Sequence, residues 1–187
     1  MKNLVKLINL FVVIAIALVE AGDCQTQNAQ KSPGQSSAES VELAIPNFSR
    51  VNDRISAAGQ PSQQAFEQLK KMGYKTIINL RTAEEGADKE KEIVEKLGLR
   101  YINIPITPQT ITQEKVKQLA EVINDESSGR ILIHCASSNR VGGMWFLHRV
   151  MNESCSIEQA IEEAEKAGLK NPSLKQTVME FAEKNKN

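Results

Sequence analysis

The chain has few aromatic residues: one Trp, two Tyr and five Phe make up 4% of its 187 residues. A core built on ring packing is therefore excluded. The interior must come from Ile, Leu, Val and Ala, a palette common in α/β domains. Excess charge is lacking too, with 23 basic residues against 23 acidic ones. The basic residues form no cluster, so nucleic acid and anionic membrane surfaces are not expected partners. The two His and three Cys stand at no ligand-like spacing. No zinc or haem signature follows, and no metal or cofactor is expected. Internal repeats are absent. The unbroken apolar run Leu10 to Val19 covers ten residues, too few for a membrane span, which needs about 20.

That run has another use. Lys2 and Lys6 precede it and Glu20-Ala21-Gly22-Asp23-Cys24 follow, the layout of a secretory signal with its charged, apolar and small-residue regions. Val19 and Ala21 offer a cleavage site with a mature start near Gly22. Residues 1–22 thus read as a signal peptide and the protein as exported, periplasmic or extracellular. Cys24 opens a second reading, a lipid anchor, although Asp23 is a poor fit before an acylated Cys. An uncleaved membrane anchor is the third. The stretch "QTQNAQKSPGQSSAES" has no large apolar side chain and cannot offset its own ordering entropy, so residues 23–44 read as a flexible linker. Residues 45–187 are left as one domain of ordinary size.

Within that domain the pattern is regular. "RISAAGQPS" reads as a short strand ended by Gly59 and Pro61. Ser62 caps a helix over Gln63 to Met72, with Gly73 as its stop. Lys75 to Leu80 is a strand, Arg81 to Gly86 a loop, and Ala87 to Leu97 a charged helix. "LRYINIPI" is another strand, and Thr112 caps a helix over Gln113 to Ile123. "RILIH" is the most apolar strand, followed by a loop and a helix to about Met151. Ser156 and Gln159 form a capping box for a helix to Ala167, and a last helix runs from Pro172 to Glu183. "TIINL" and "ILIH" are continuously apolar, as strands covered on both faces are. The expected fold is α/β, a mostly parallel central sheet flanked by helices. Ligands bind beyond the carboxyl ends of such strands. Three loops should converge there: Arg81–Gly86, Thr107–Thr110 and the loop after "ILIH".

That last loop is "HCASSNR", His134 to Arg140. A loop leaving a strand and entering a helix presents unpaired backbone N–H groups. Ala136, Ser137, Ser138 and Asn139 are small or polar enough to let an anion reach them. The helix beginning near Arg140 adds its positive end, and Arg140 a bidentate fork for a tetrahedral oxyanion. The same field favours the thiolate of Cys135, the nucleophilic form. Thiolate plus anion cradle allows covalent catalysis at phosphorus or sulfur. A buried thiol serving only as a small packing residue is the plainer alternative.

These residues resemble the nucleophile loop of cysteine-dependent, dual-specificity-like protein phosphatases. The wider pattern "SAAGQPS", "YKTIINLRTAEE", "LRYINIPI" and "ILIHCASSNRVGG" looks like the bacterial phosphatase-like domain also found beside β-lactamase-like hydrolases. The resemblance implies Cys135 as the phosphocysteine nucleophile, Arg140 as the phosphate clamp and Ala136 to Asn139 as the cradle. The substrate would be a phosphomonoester, with phosphotyrosine one candidate. The chain departs from the pattern in three ways. Four residues, not five, separate Cys135 from Arg140; Ser138 stands where Gly is common; and Val141 replaces the hydroxyl residue that usually follows the Arg. The short loop also resembles that of rhodanese-type sulfurtransferases, whose Cys carries a persulfide, which would make sulfane sulfur the cargo. A non-catalytic domain that binds a phosphorylated or sulfated partner is the third possibility.

Related phosphatases use an Asp on a neighbouring loop as general acid. "ITPQTIT" holds no carboxylate, which leaves Glu84 and Glu85 as the best substitutes and Asp125 as a weaker one. His134 is expected to bond nearby backbone and set the loop. Arg81 is expected to touch substrate phosphate or to pair with Glu84 or Glu85. His148 reads as a surface or core-edge residue and Trp145 as packing between helix and sheet. Cys155 lies a helix length of roughly 18 Å from the loop, beyond disulfide reach of Cys135, and reads as a packing residue.

Overall fold

A computed structural model describes residues 45–185; the expected signal peptide and linker lie outside the described residues. Five strands form one sheet in the order β1-β2-β5-β3-β4. They are β1 (Ser49–Arg50), β2 (Ile55–Ala58), β3 (Tyr74–Asn79), β4 (Arg100–Asn103) and β5 (Arg130–His134). All neighbours run parallel except β1, which pairs antiparallel with β2 at the sheet edge. The expected α/β fold with a mostly parallel sheet is the observed one. The central strand β5 aligns Ile131, Leu132 and Ile133 with Ile55, Ser56 and Ala57 of β2, and Leu132 and Ile133 with Ile77 and Ile78 of β3.

Successive side chains leave a strand on opposite faces, and the core divides accordingly. Ile77 and Leu132 pack with Phe66, Leu69 and Val94 beneath α1 (Gln63–Lys71) and α2 (Ala87–Lys96). Ile78, Ile131 and Ile133 face the other layer, formed by α3 (Gln113–Asn124), α4 (Asn139–Asn152), α5 (Ile157–Lys166) and α6 (Pro172–Asn185). Val141 to Val150 of α4 are buried without a break, as a helix enclosed on all sides requires. The α4 sequence therefore shows little amphipathic period.

The expected caps are present. Ser62, Thr112 and Ser156 accept the backbone N–H groups of Ala65, Lys115 and Gln159 through their side-chain oxygens. Two short elements went unforeseen, β1 and a 3-10 turn at Glu126–Ser128. Neither is long enough to show a period. His148 corrects an expectation: it is fully buried, not at a surface. Burial pushes its imidazole down to about 4 and neighbouring Arg149 adds to the shift. Trp145 is buried as expected, and its indole N–H donates to Glu163 at 3.0 Å. Cys135 and Cys155 are both buried.

Candidate active site

Strand β5 delivers Cys135 to the carboxyl edge of the sheet, where its N–H donates to Ala58 O at the end of β2. The chain then turns through Ala136, Ser137 and Ser138 into α4. Ser138 adopts a left-handed backbone, with φ of 68°. Glycine takes up that conformation freely, which explains why Gly is common here in the resembling loops. Ser138 is held by its hydroxyl, which donates to Ala167 O at 2.7 Å. The N–H groups of Ala136, Ser137, Asn139, Arg140 and Val141 donate to no backbone acceptor among the described residues. Unpaired N–H groups of this kind are what a loop entering a helix leaves available to an anion.

Arg140 reaches back across the sheet edge. Its Nη1 donates to Glu85 Oε2 at 2.7 Å, Ile106 O at 3.0 Å and Leu80 O at 3.4 Å, and its Nη2 donates to Glu85 Oε1 at 2.6 Å. Glu85 thus grips one edge of the guanidinium. The opposite edge, Nε–H and the second Nη2–H, has no oxygen partner among the described residues. Glu85 raises the Arg140 pKa, burial opposes this, and Cys135 lies near enough to raise it further. Hydrogen bonding to Arg140 outweighs burial at Glu85 and holds its carboxyl at about 2. Glu85 therefore carries no proton near neutral pH, which tells against the acid role considered for it. Glu84 is exposed and does not bond Arg140; its carboxyl is lowered by a backbone hydrogen bond and by Thr82.

Behind the loop lies a buried carboxylate that sequence reasoning missed. Glu90, in the first turn of α2, is only 5% exposed. Its Oε1 lies 2.9 Å from His134 Nε2 and accepts from Asn79 Nδ2 at 2.7 Å, while Oε2 accepts from Gln60 Nε2 at 2.5 Å. Burial pushes the Glu90 carboxyl up, but His134, Gln60 and Arg81 outweigh it and keep it below its ordinary value. Two expectations are corrected. His134 bonds this carboxylate through Nε2, not nearby backbone. Arg81 lies 3.7 Å from Glu90 and donates to the Gln60 amide oxygen; it forms no ion pair with Glu84 or Glu85, though its charge helps lower the Glu85 carboxyl. For His134 the carboxylate is a stronger acceptor than a backbone carbonyl.

The three expected loops do converge, since Arg140 joins Glu85 of one to Ile106 beside another. A fourth segment joins them, the connection from α5 to α6. Asn139 Oδ1 accepts from Lys170 N and Asn171 N, each at 2.8 Å. A Cβ on Gly168 would lie 2.5 Å from Ser138 Cβ, so the connection presses directly on the loop. Asp125 lies elsewhere: it caps the 3-10 turn that precedes β5 and pairs with Arg100 at 2.8 Å. The arrangement brings a buried thiol, loop N–H groups without backbone acceptors and the Arg140 guanidinium to one edge of the sheet.

Residues 40–181 match the family described as DSP-PTPase phosphatase fused to NAD+ kinase. The chain belongs to that family. A β-lactamase hydrolase-like protein of Xylella fastidiosa is 30% identical over 107 residues, 54% of this chain. Its counterpart in Agrobacterium fabrum is 30% identical over 108 residues. The chain spans 25% of the length of these relatives. Among solved structures, TpbA of P. aeruginosa in complex with phosphotyrosine has a TM-score of 0.61 at 17% identity, over 81% of this chain and 91% of that one. The core catalytic domain of the PP-IP phosphatase SIW14 of S. cerevisiae has a TM-score of 0.60 at 19% identity, over 75% and 93%. At these identities the likeness is one of fold, that of the cysteine phosphatases.

Proposed function

We propose that the protein is a cysteine-dependent phosphatase, exported from the cytoplasm, that hydrolyses a phosphomonoester through a phosphocysteine at Cys135. The observation that carries this reading is the division of Arg140 into two edges, one fixed by Glu85 and one left open beside Cys135 and the free N–H groups. An ester phosphate held by that open edge and by the cradle from Ala136 to Asn139 would present phosphorus to the sulfur. The Cys135 thiolate attacks, the ester oxygen departs, and water then releases phosphate and restores the thiolate. Glu85 orients the clamp, a role that fits its ionised state.

Glu85, which bonds Arg140, Glu90, which bonds His134, and Glu84 beside Glu85 are all held below their ordinary values. None brings a proton to the leaving oxygen at neutral pH. Aryl esters, whose phenolate departs with a pKa near 10, should therefore be favoured over alkyl esters, and phosphotyrosine fits that class. A second reading is supported by the four-residue loop: sulfur transfer through a Cys135 persulfide, with a tighter ring around a smaller cargo. Assays of p-nitrophenyl phosphate hydrolysis and of sulfur transfer from thiosulfate to cyanide, run with the protein and with Cys135→Ser, separate the readings. Phosphate release lost in the variant supports the phosphatase. Thiocyanate formation alone moves the protein to sulfur transfer. Retained binding of a phosphorylated ligand with no turnover makes it a recognition domain.

A further inference from the structure

The two large apolar side chains most exposed among the described residues, Ile157 at 38% and Met179 at 39%, line the same groove. The groove measures about 860 Å³ and lies between the start of α5 and the outer face of α6, with Val150 and Ala182 also in its lining. Val150 belongs to the last turns of α4, whereas the anion cradle lies at the first. Fourteen residues of helix separate the two ends by about 20 Å, so the groove is no part of the candidate active site.

The rim carries its own information. Lys175, Met179 and Glu183 follow one another at four-residue spacing on α6 and all line the groove, so they share one helix face. The basic end of this stripe is N-terminal, the acidic end C-terminal, and the apolar residue stands midway. Such a stripe is complementary to itself when reversed. In an antiparallel pairing centred on Met179, Lys175 of each copy meets Glu183 of the other, and the match occurs twice. A parallel pairing would set Glu183 against Glu183.

We propose that this face is a two-fold self-association surface, with α6 of a second copy lying antiparallel in the groove. Two-fold contacts use the same patch on both copies and so demand this self-complementarity. Met179 and Ile157 would leave water on pairing, and the charged ends would fix register and direction. The patch is small and its charges lie at the rim, which makes the dimer weak and salt-sensitive. Its two cradles would remain open at the far ends of the α4 helices.

Sedimentation equilibrium of the full chain over a wide concentration range tests the proposal. The mass should rise from that of one 20.7 kDa chain toward twice that value. Lys175→Glu and Glu183→Lys should each weaken association by roughly tenfold, since each acts at two symmetric places. The double variant Lys175→Glu/Glu183→Lys should recover association to within a few-fold of the parent. Lys175 also bonds Glu165 at 2.7 Å within the chain; that contact is kept in Glu183→Lys but lost in both Lys175→Glu and the double variant, so recovery of the double variant relative to Lys175→Glu isolates the intermolecular pair. Met179→Glu should leave a monomer. A monomer at all concentrations overturns the proposal. So does a dimer indifferent to these substitutions, as association through the apolar Leu10–Val19 run would be, and so does a double variant that fails to recover.

Discussion

Glu85 and Glu90 are two acidic side chains with different duties around one loop. Glu85→Gln should keep the fold but loosen Arg140, lowering kcat/KM for an aryl phosphate by roughly 10–100-fold; steady-state kinetics would show it, and an unchanged value would remove the orienting role. Glu90→Ala should cost stability on the order of 3 kcal/mol, because buried donors of Gln60, Asn79 and His134 lose their acceptor. Glu90→Gln should cost visibly less in urea denaturation. Cys135 and Arg140 were legible because their spacing after an apolar strand is unusual in itself. Glu90 was not. "ADKEKEIVEK" reads as a solvated charged helix, and the carboxylate becomes special only where β3, β5 and the Gln60 turn meet. A signal existed in the spacing of Ala87, Glu90 and Val94, the buried residues of α2, which places Glu90 on the inward stripe.

The element that carries most of the design is α4, which begins at the cradle and runs through the middle of the helical layer. A Cβ on Gly142 would lie 2.5 Å from both Ala164 O and Leu169 N, so Gly142 lets α4 lie against α5 at backbone distance. Gly142→Ala should destabilise by about 1–3 kcal/mol and lower activity by shifting the connection that holds Asn139. Gly168 has φ of +111° and touches Ser138. Gly168→Ala should therefore perturb the loop more than its stability loss alone implies, seen as a larger fall in kcat per unit of stability lost than in the Gly142 variant. The helices themselves were readable from their caps and glycine stops. The α5–α6 connection was not recognised as part of the site, because its hold on the loop runs through backbone N–H groups and a glycine contact that leave no chemical signature in the sequence.

Across the whole molecule, continuous apolar runs announced the buried parallel strands, and short links between strand and helix announced the layering. What the sequence could not announce was which polar side chains would be enclosed. His148 is one, and it has a consequence for acid stability. Its imidazole is lowered from 6.5 to about 4, so the unfolded chain binds the proton more readily and stability falls as pH drops from about 6.5 toward 4. Glu153 Oε1, 2.9 Å from His148 Nε2, and Glu163 favour the charged imidazole and oppose the effect, which keeps it below about 3 kcal/mol. Glu85 is lowered from 4.5 to about 2, and the stability it contributes is present above 4.5 and lost toward 2. Urea denaturation against pH should show both windows, with His148→Asn flattening the upper one and Glu85→Gln the lower. The proposed chemistry takes place at one sulfur, that of Cys135. Rapid acid quench of the protein turning over p-nitrophenyl phosphate, followed by intact and peptide mass spectrometry, examines it directly. A phosphoryl adduct should be found on Cys135 and be absent from Cys135→Ser. Turnover without that adduct, or a phosphoryl group on another residue, would contradict it.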